Sequence, residues 1–420
     1  MSYGCQQDRL DLPAFEQSVI EYLCQQANSL GNCAIYALKR ATRQANRVDS
    51  NYYDLDKHLK ENQHYKALFS QAAQQTLMSV CESFSSYDAL LQKWYKGELA
   101  DKPKLPRYRK SGGLAGFAYP AQHLGLNETL ETGMIRLPLG AMIKHLEGVS
   151  EIFIPAPANI HPDRIREVRI VPRNRCFYVE WIYQRKVERY SLNPANALGI
   201  DPGVKNWLTC VSNRGNSFII NGKRPNFWNH TLNREVARHN EGYWSKKLAL
   251  MTEKRNRRMR DYINKAARRI ANYCVKNDIG TVVFGWNKGS KTSVNIGKRN
   301  NQNFVQLPTA KLKNRLKAVL EEIGVQFIET EESYTSKASF LDGDSLPVYG
   351  EKPDDWKPSG KRTTTKLYRT AQGWYIYADC NGAANILRKV ASILGLNLSE
   401  ITRGAVTRPL RLNLYPSVLV

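Results

Sequence analysis

Three separated places in the chain put carboxylates where short apolar runs end. Asp201 closes the first run of NALGIDPGVKNWLTCV (196–211), and Pro202-Gly203 turn the backbone immediately after it. Glu331 and Glu332 close a later run in ETEESYTSK, and Asp379 stands in ADCNGAANIL, just before a helical pattern. Acids delivered from separate strands to one sheet edge suit a hard divalent cation, which takes oxygen ligands and keeps several waters. Two such ions about 3.5–4 Å apart stabilise the attacking and leaving oxygens of a phosphodiester displacement. An electropositive helix start would keep Asp379 ionised. Each acid also has a plainer reading: Asp-Pro-Gly is a common solvated turn, and Glu331-Glu332 read as solvated strand-end charges. Their company in one chain order favours the metal site. No His constellation or Ser/His/Asp pattern points to a side-chain nucleophile.

The elements that must position these acids follow from periodicity. Residues 196–220 predict a meander of three short strands with turns at 202–203 and 213–216. Asn229–Lys276 predicts one long helix, and Thr281–Phe284 a buried strand. Pro308–Ile323 predicts an amphipathic helix, with Pro308 suited to its first turn and Gly324 to its end. Val325–Thr330 predicts a strand and Asn381–Leu394 a closing helix, with Asn381 either capping it or holding a metal-bound water. Capping is the favoured role. Three meander strands, helix, strand, helix, strand and a last helix is the element order of the RNase H/RuvC-like nuclease fold, a mixed α/β class with an antiparallel edge. Upstream, residues 14–100 read mostly as helix, and 114–189 as short strands of a small β-barrel or sandwich.

Composition narrows the partners. The 420 residues carry a formal net charge of +24 with 10% aromatics, which points to a polyanion, most simply nucleic acid, over a ribosomal or membrane-surface role. That length allows two or three domains. Between Lys223 and Arg269 stand 14 Lys/Arg against 4 Asp/Glu, a net of +10, and Lys254, Arg255, Arg257, Arg258 and Arg260 are the candidate phosphate contacts. In the proline-punctuated KPKLPRYRKSGG (102–113), Arg107, Tyr108, Arg109 and Lys110 suit a nucleic-acid backbone with one stacked base, or else a solvated linker. Lys291, Lys298 and Arg299 lie in a basic loop near the expected site, where they either grip DNA or are ordinary surface charge. With no apolar run of about 18 residues and no signal peptide, a soluble, intracellular protein is expected. Eight scattered cysteines without a CxxC pair support neither a zinc knuckle nor a disulfide framework.

These residues carry a family resemblance. GIDPGVKN, NQNFVQLP, EESYTSKASFLDGD and YADCNGAANILRK resemble the TnpB (OrfB) proteins of bacterial insertion sequences, which are similar to the type V CRISPR effectors. The motifs span 196–395; PKLPRYRKSGG and GMIRLPLG look like the family's linker and wedge region, and the N-terminal helices match in position and character. The resemblance implies an N-terminal segment (1–13), a helical recognition domain (14–101), a basic linker with a β-barrel wedge domain (102–195), a RuvC-like nuclease domain (196–395) and a tail (396–420). It implies an RNA-guided DNA endonuclease using Mg²⁺ at a two-metal site. Its guide RNA is encoded by the transposon end, and it reads a short motif beside its double-stranded DNA target. A prokaryotic, cytoplasmic, nucleoid-associated monomer is expected, with no membrane partner.

Two departures from the family's pattern matter. Family members usually carry a catalytic Glu directly after the fourth strand, whereas here TVVFGWNKG offers Gly285, Trp286 and Asn287. They also usually have a CxxC…CxxC zinc element before the last motif, whereas no cysteine lies between Ser333 and Asp379, so no zinc is expected. Glu332 is the expected replacement acid. The fifth strand lies beside the fourth, about 4.8 Å further from the first, and a glutamate's reach covers part of that offset. Strand parity leaves Glu331 and Glu332 both open; Glu332 is favoured because it directly precedes SYTS. Asp201, Glu332 and Asp379 are therefore the expected catalytic and metal-holding set, with carboxylates within metal-bridging reach of one another. Gly285 also keeps open the alternative of a nuclease-inactive, RNA-guided DNA-binding protein.

Overall fold

A computed structural model describes residues 2–45, 48, 50–239, 244–287 and 307–415. They fall into two units, divided between Lys186 and Val187. No helix among the described residues is long and apolar enough to cross a membrane.

The first unit runs β1 (Ser2–Leu10), α1 (Ala14–Ala45), α2 (Tyr52–Leu59), α3 (Gln63–Ala67), α4 (Ser70–Tyr95), β2 (Phe117–Pro120), α5 (Leu126–Thr132), β3 (Met134–Pro138), α6 (Ala141–Glu147), β4 (Glu151–Pro155), β5 (Ile165–Arg173) and β6 (Cys176–Arg185). On α1, Ile20, Leu23, Ala27, Leu30, Ala34 and Leu38 recur at three- and four-residue spacing and are buried. They share one core with Ala73, Leu77 and Phe84 of α4 and with the sheet residues Phe117, Val168 and Ile170. The sheet is antiparallel in the order β1-β6-β5-β2, and β3 and β4 form a separate pair. Nothing in SYGCQQDRL alternates cleanly, yet Ser2–Leu10 pairs along the whole of β6, from Ser2 opposite Arg185 to Leu10 opposite Phe177. The long β6 partner builds this strand, not its own pattern.

The second unit has a six-stranded sheet in the order β11-β10-β7-β8-β9-β15. β7 (Ala197–Pro202), β8 (Asn206–Ser212) and β9 (Ser217–Asn221) form the antiparallel meander. β10 (Thr281–Gly285) is parallel to β7, and β11 (Gln326–Thr330) is parallel to β10. Asn229–Lys276, expected as one helix, is two: α7 (Lys223–Val236) and α8 (Lys246–Lys276). Ser245 starts the second by accepting a hydrogen bond from Leu248 N at 3.1 Å. The remaining helices are α9 (Thr309–Glu322), α10 (Ala378–Leu394) and α11 (Arg403–Thr407). A three-stranded sheet, β12 (Lys361–Arg362), β13 (Leu367–Arg369) and β14 (Tyr375–Tyr377), precedes α10. β15 (Leu410–Leu412), in the stretch expected as a tail, pairs in parallel with β9.

Alternation along the central strands sorts the core onto two faces. Leu198 and Ile200 join residues of α8 and α9, whereas Ala197, Val211 and Val283 join residues of α10. The segment before α10 is tied by carboxylates. Asp342 Oδ2 accepts from Ser339 Oγ, Ser359 Oγ and Ala371 N, and Asp344 Oδ2 accepts from Ser339 N and Ser359 N.

Gly199 of β7 lets α10 lie directly on the sheet. A Cβ there would stand 2.5 Å from Ala383 O and 2.7 Å from Leu387 Cγ. Overpacking of this kind typically costs 1–3 kcal/mol. Gly199→Ala is expected to cost about 2 kcal/mol, lowering the thermal midpoint by about 4–8 °C; an unchanged midpoint in a melting scan would show that the helix can move off without penalty.

Candidate active site

Asp201 lies near the end of β7, opposite Thr209 of β8. Its carboxylate is pressed against the first turn of α10: a Cβ on Gly382 would stand 2.7 Å from Asp201 Oδ2. Burial pushes the Asp201 carboxyl well above the usual carboxylate range; the charges of Glu332 and Asp379 add to that, and Arg362 opposes it. One glutamate and two aspartates thus feel one another at this corner of the sheet.

Glu332 reaches the corner across Gly285. β10 and β11 run in register with Gly285 beside Thr330, so Glu332 leaves the sheet two residues beyond that pair. A Cβ added to Gly285 would lie 2.8 Å from both Cγ and Oε1 of Glu332, and 2.6 Å from Ile386 Cδ1 of α10. The glutamate side chain therefore occupies the space that a side chain at 285 would fill. Asn287 Oδ1 accepts from Glu332 N at 3.0 Å and fixes the backbone there. Burial raises the Glu332 carboxyl to about 7, and its Oε1 is buried with no hydrogen-bond partner. Glu331 has other partners: it pairs with Lys389 of α10, and its second oxygen accepts from Ser333 N at 2.8 Å.

Asp379 belongs to the first turn of α10 and not to the residues before it, since Tyr377 is the N-cap position. Asn206 Nδ2 donates to Asp379 Oδ2 at 2.7 Å, and Arg362 Nη2 donates to Oδ1 at 2.8 Å. Asn381, expected as a cap or a holder of metal-bound water, does neither. It is fully buried, accepts from Phe340 N at 2.9 Å and donates to Ala338 O at 2.7 Å, which ties α10 to the preceding segment.

The donor set suits a hard divalent cation in kind: three carboxylates, two of them desolvated, one with an orphaned buried oxygen. Its spacing is another matter. Among the described residues no three His, Cys, Asp or Glu side chains stand close enough together to hold a metal ion. The expectation of bridging distances is thus not met in this structure, where Asn206 and Arg362 engage the two oxygens of Asp379. Neither residue was picked out from the sequence. Asn206 lies within the quoted GIDPGVKN motif, but only the β7–β8 hairpin brings it back to Asp379, and nothing in SGKRTTT marks Arg362.

The candidate nucleic-acid residues divide by exposure. Lys254, Arg257 and Arg258 are exposed on α8, and Arg260 is half-buried. Arg255 is committed to the protein: its Nε donates to Asn229 Oδ1 at 2.8 Å, and burial lowers its pKa. In the linker, Arg107, Tyr108 and Lys110 are exposed, with Lys39 Nζ 4.2 Å from the Tyr108 ring. Arg109 is instead clamped onto α1, where Asn32 Oδ1 accepts from its backbone N and Ala27 O accepts from its Nη1. Lys291, Lys298 and Arg299 lie outside the described residues.

A mixed sheet in the order β9-β8-β7-β10-β11 with helices on both faces, Asp201 near the end of β7, Glu332 just past β11 and Asp379 in the first turn of α10 fit the RNase H/RuvC-like fold class. A family model described as OrfB_IS605, a probable transposase, matches residues 181–291, and the TnpB (OrfB) resemblance carried by the motifs stands on that match. No curated protein matches the chain. Among solved structures, the chain is similar to Cas12f1 in a complex with sgRNA and target DNA: 15% identity, TM-score 0.55, covering 90% of this chain and 83% of that one. It also aligns with a CRISPR-Cas12f ternary complex at 15% identity, covering 89% and 81%, but the TM-score of 0.33 carries no argument. The first of these establishes the fold alone.

The raised Glu332 carboxyl ties stability to pH in the metal-free protein. Its ordinary value of 4.5 rises to about 7 in the folded state, so the folded chain keeps a proton that the unfolded chain has released. Stability from this group is full below 4.5 and is lost as pH climbs to about 7. Asp201 shifts in the same direction. In chelator, the thermal midpoint should fall across that window, and Glu332→Gln should flatten the fall; an equally steep fall in the variant would remove Glu332 as its source.

Proposed function

We propose that this chain is an RNA-guided, metal-dependent DNA endonuclease whose reacting centre is built from Asp201, Glu332 and Asp379. The observation that carries the reading is the placement of the Glu332 carboxylate over Gly285, beside Asp201, where the family resemblance expects an acid. Divalent magnesium, when bound, would stabilise the attacking and leaving oxygens of the phosphodiester. The chain's own part is to hold three carboxylates at one corner, two of them desolvated: Asp201 near the end of β7, Asp379 in the first turn of α10 and Glu332 from the segment after β11. Arg362, the cation that faces Asp379, would supply positive charge for an incoming phosphate. Support for RNA and DNA partners comes from the net charge of +24, from the family match, and from the fold shared with a protein whose structure contains sgRNA and target DNA. We further propose that residues 14–101 form a recognition domain and 102–195 a linker with a wedge domain, and that the protein reads a short DNA motif beside the target.

One observation favours a second reading. No metal-holding cluster stands ready among the described residues, and Asp379 is engaged by Arg362, as a nuclease-inactive guided DNA-binding protein would allow. RNA-loaded protein with matched DNA and Mg²⁺ separates the two: a double-strand break removes the inactive reading. Asp201→Ala and Asp379→Ala should each abolish cleavage with RNA binding nearly intact, and Glu332→Gln should lower it about 100-fold or more. Unchanged cleavage in any one of them overturns the assignment.

The exposed cations of α8 give a separate prediction. Each neutralised phosphate contributes a slope of about 0.9 to the fall of log binding constant with log salt. Replacing Lys254, Arg257 and Arg258 with Ala should flatten that slope by about 2–3 without altering target preference; an unaltered slope would make this helix a solvated face.

A further inference from the structure

Two adjacent glutamates end β11, and only one reaches the acid corner. Neighbouring residues of an extended chain point to opposite sides, so the backbone alone permits either assignment, depending on a twist of one residue. Their surroundings differ sharply. Glu331 is saturated: Lys389 Nζ pairs with its Oε1 and Ser333 N donates to its Oε2. Glu332 is tied through its backbone, its N donating to Asn287 Oδ1 and its O accepting from Thr335 N and Oγ1, while its Oε1 is buried without a partner.

The cation that makes this difference comes from the helix that also supplies Asp379. Ile386 and Lys389 stand three residues apart on α10 and so share a face. Ile386 Cδ1 lies against the Gly285 position and thus beside Glu332. One turn further on, the Lys389 side chain is only 8% exposed against 36% for Glu331. A buried ammonium demands a partner, and Glu331 is the carboxylate it has.

We propose that Lys389 is a positioning residue that pins Glu331 outside the site and thereby selects Glu332 as its third acid. The inference rests on the endonuclease reading above and names what sets its geometry. Without Lys389, the Glu331 carboxylate is freed one residue from the acid corner, where it competes with Glu332 for that place and adds charge to a site already rich in it.

The test is a double-variant cycle on full-length, guide-loaded protein, read by cleavage of matched DNA and by calorimetric Mn²⁺ binding to the metal-stripped complex. Lys389→Met should weaken both by about 10–100-fold, as loss of a partner behind a metal ligand does. Lys389→Arg keeps the charge and should retain most of each. Lys389→Met with Glu331→Gln removes the competing charge together with its partner, leaves no orphaned buried ion, and should recover most of what Lys389→Met loses. A purely structural role would not be rescued in this way. If the double variant is as impaired as Lys389→Met, or if Lys389→Met matches the parent in both readouts while Glu332→Gln is dead, the positioning role is overturned and the endonuclease reading stands. If Glu332→Gln cleaves and binds Mn²⁺ like the parent, the underlying assignment fails and this inference falls with it.

Discussion

The structure of the second unit turns on negative charge held where water is scarce. Asp201 stands near the end of the central strand β7, Glu332 folds over the neighbouring β10, and burial raises both carboxyls above the ordinary carboxylate range. Leaving a carboxylate ionised and unpaired in such a place costs several kcal/mol; protonation or a bound cation are the ways out. The surrounding polar contacts follow from that cost. Asn206 and Arg362 satisfy Asp379, and Lys389 takes up Glu331. Glu332, at the centre, keeps a buried oxygen without a hydrogen-bond partner, and the charge of Arg362 offsets part of the burial of Asp201.

The corner exists because α10 can lie directly on the sheet. Two glycines open that approach, Gly199 beneath the helix and Gly382 within its first turn, where any side chain would meet Asp201. Gly285 does the same for the glutamate. Its missing side chain is the space through which Glu332 passes, so the glycine and the displaced acid are two halves of one geometric arrangement. A side chain at 285 and Glu332 in its present rotamer cannot coexist.

Charge on the outside needs similar discrimination. A count of Lys and Arg treats every cation as available for phosphate, yet Arg109 is spent holding the linker to α1 and Arg255 holding α8 to Asn229. Burial lowers the pKa of both, which marks cations working inside the protein. Lys254, Arg257 and Arg258 keep their side chains in solvent and remain the better phosphate candidates.

What the sequence determined by itself is the part governed by local periodicity and short motifs. The meander at 196–220, the buried strand at 281–284, the amphipathic helix after Pro308 and the helix after Asp379 all have apolar spacing strong enough to specify their type. The expected acids stand at the boundaries of such elements, Asp201 near the end of β7, Glu332 past β11 and Asp379 in the first turn of α10. Tertiary structure decided what depends on partners far along the chain. Ser2–Leu10 carries no clean alternation and is a strand through its pairing along β6, whereas Leu410–Leu412 alternates but is only three residues long and is completed by its pairing with β9. Whether Glu331 or Glu332 faces the corner was open on sequence, since adjacent strand residues are interchangeable by one step of twist. In the structure Glu332 fills the empty space at Gly285, while Glu331 pairs with Lys389, 58 positions further along the chain. Asn206 and Arg362 escaped notice for the same reason: hydrogen bonds and ion pairs between distant segments leave no periodic trace in a chain, because they are fixed by the packing of elements and not by the spacing within one.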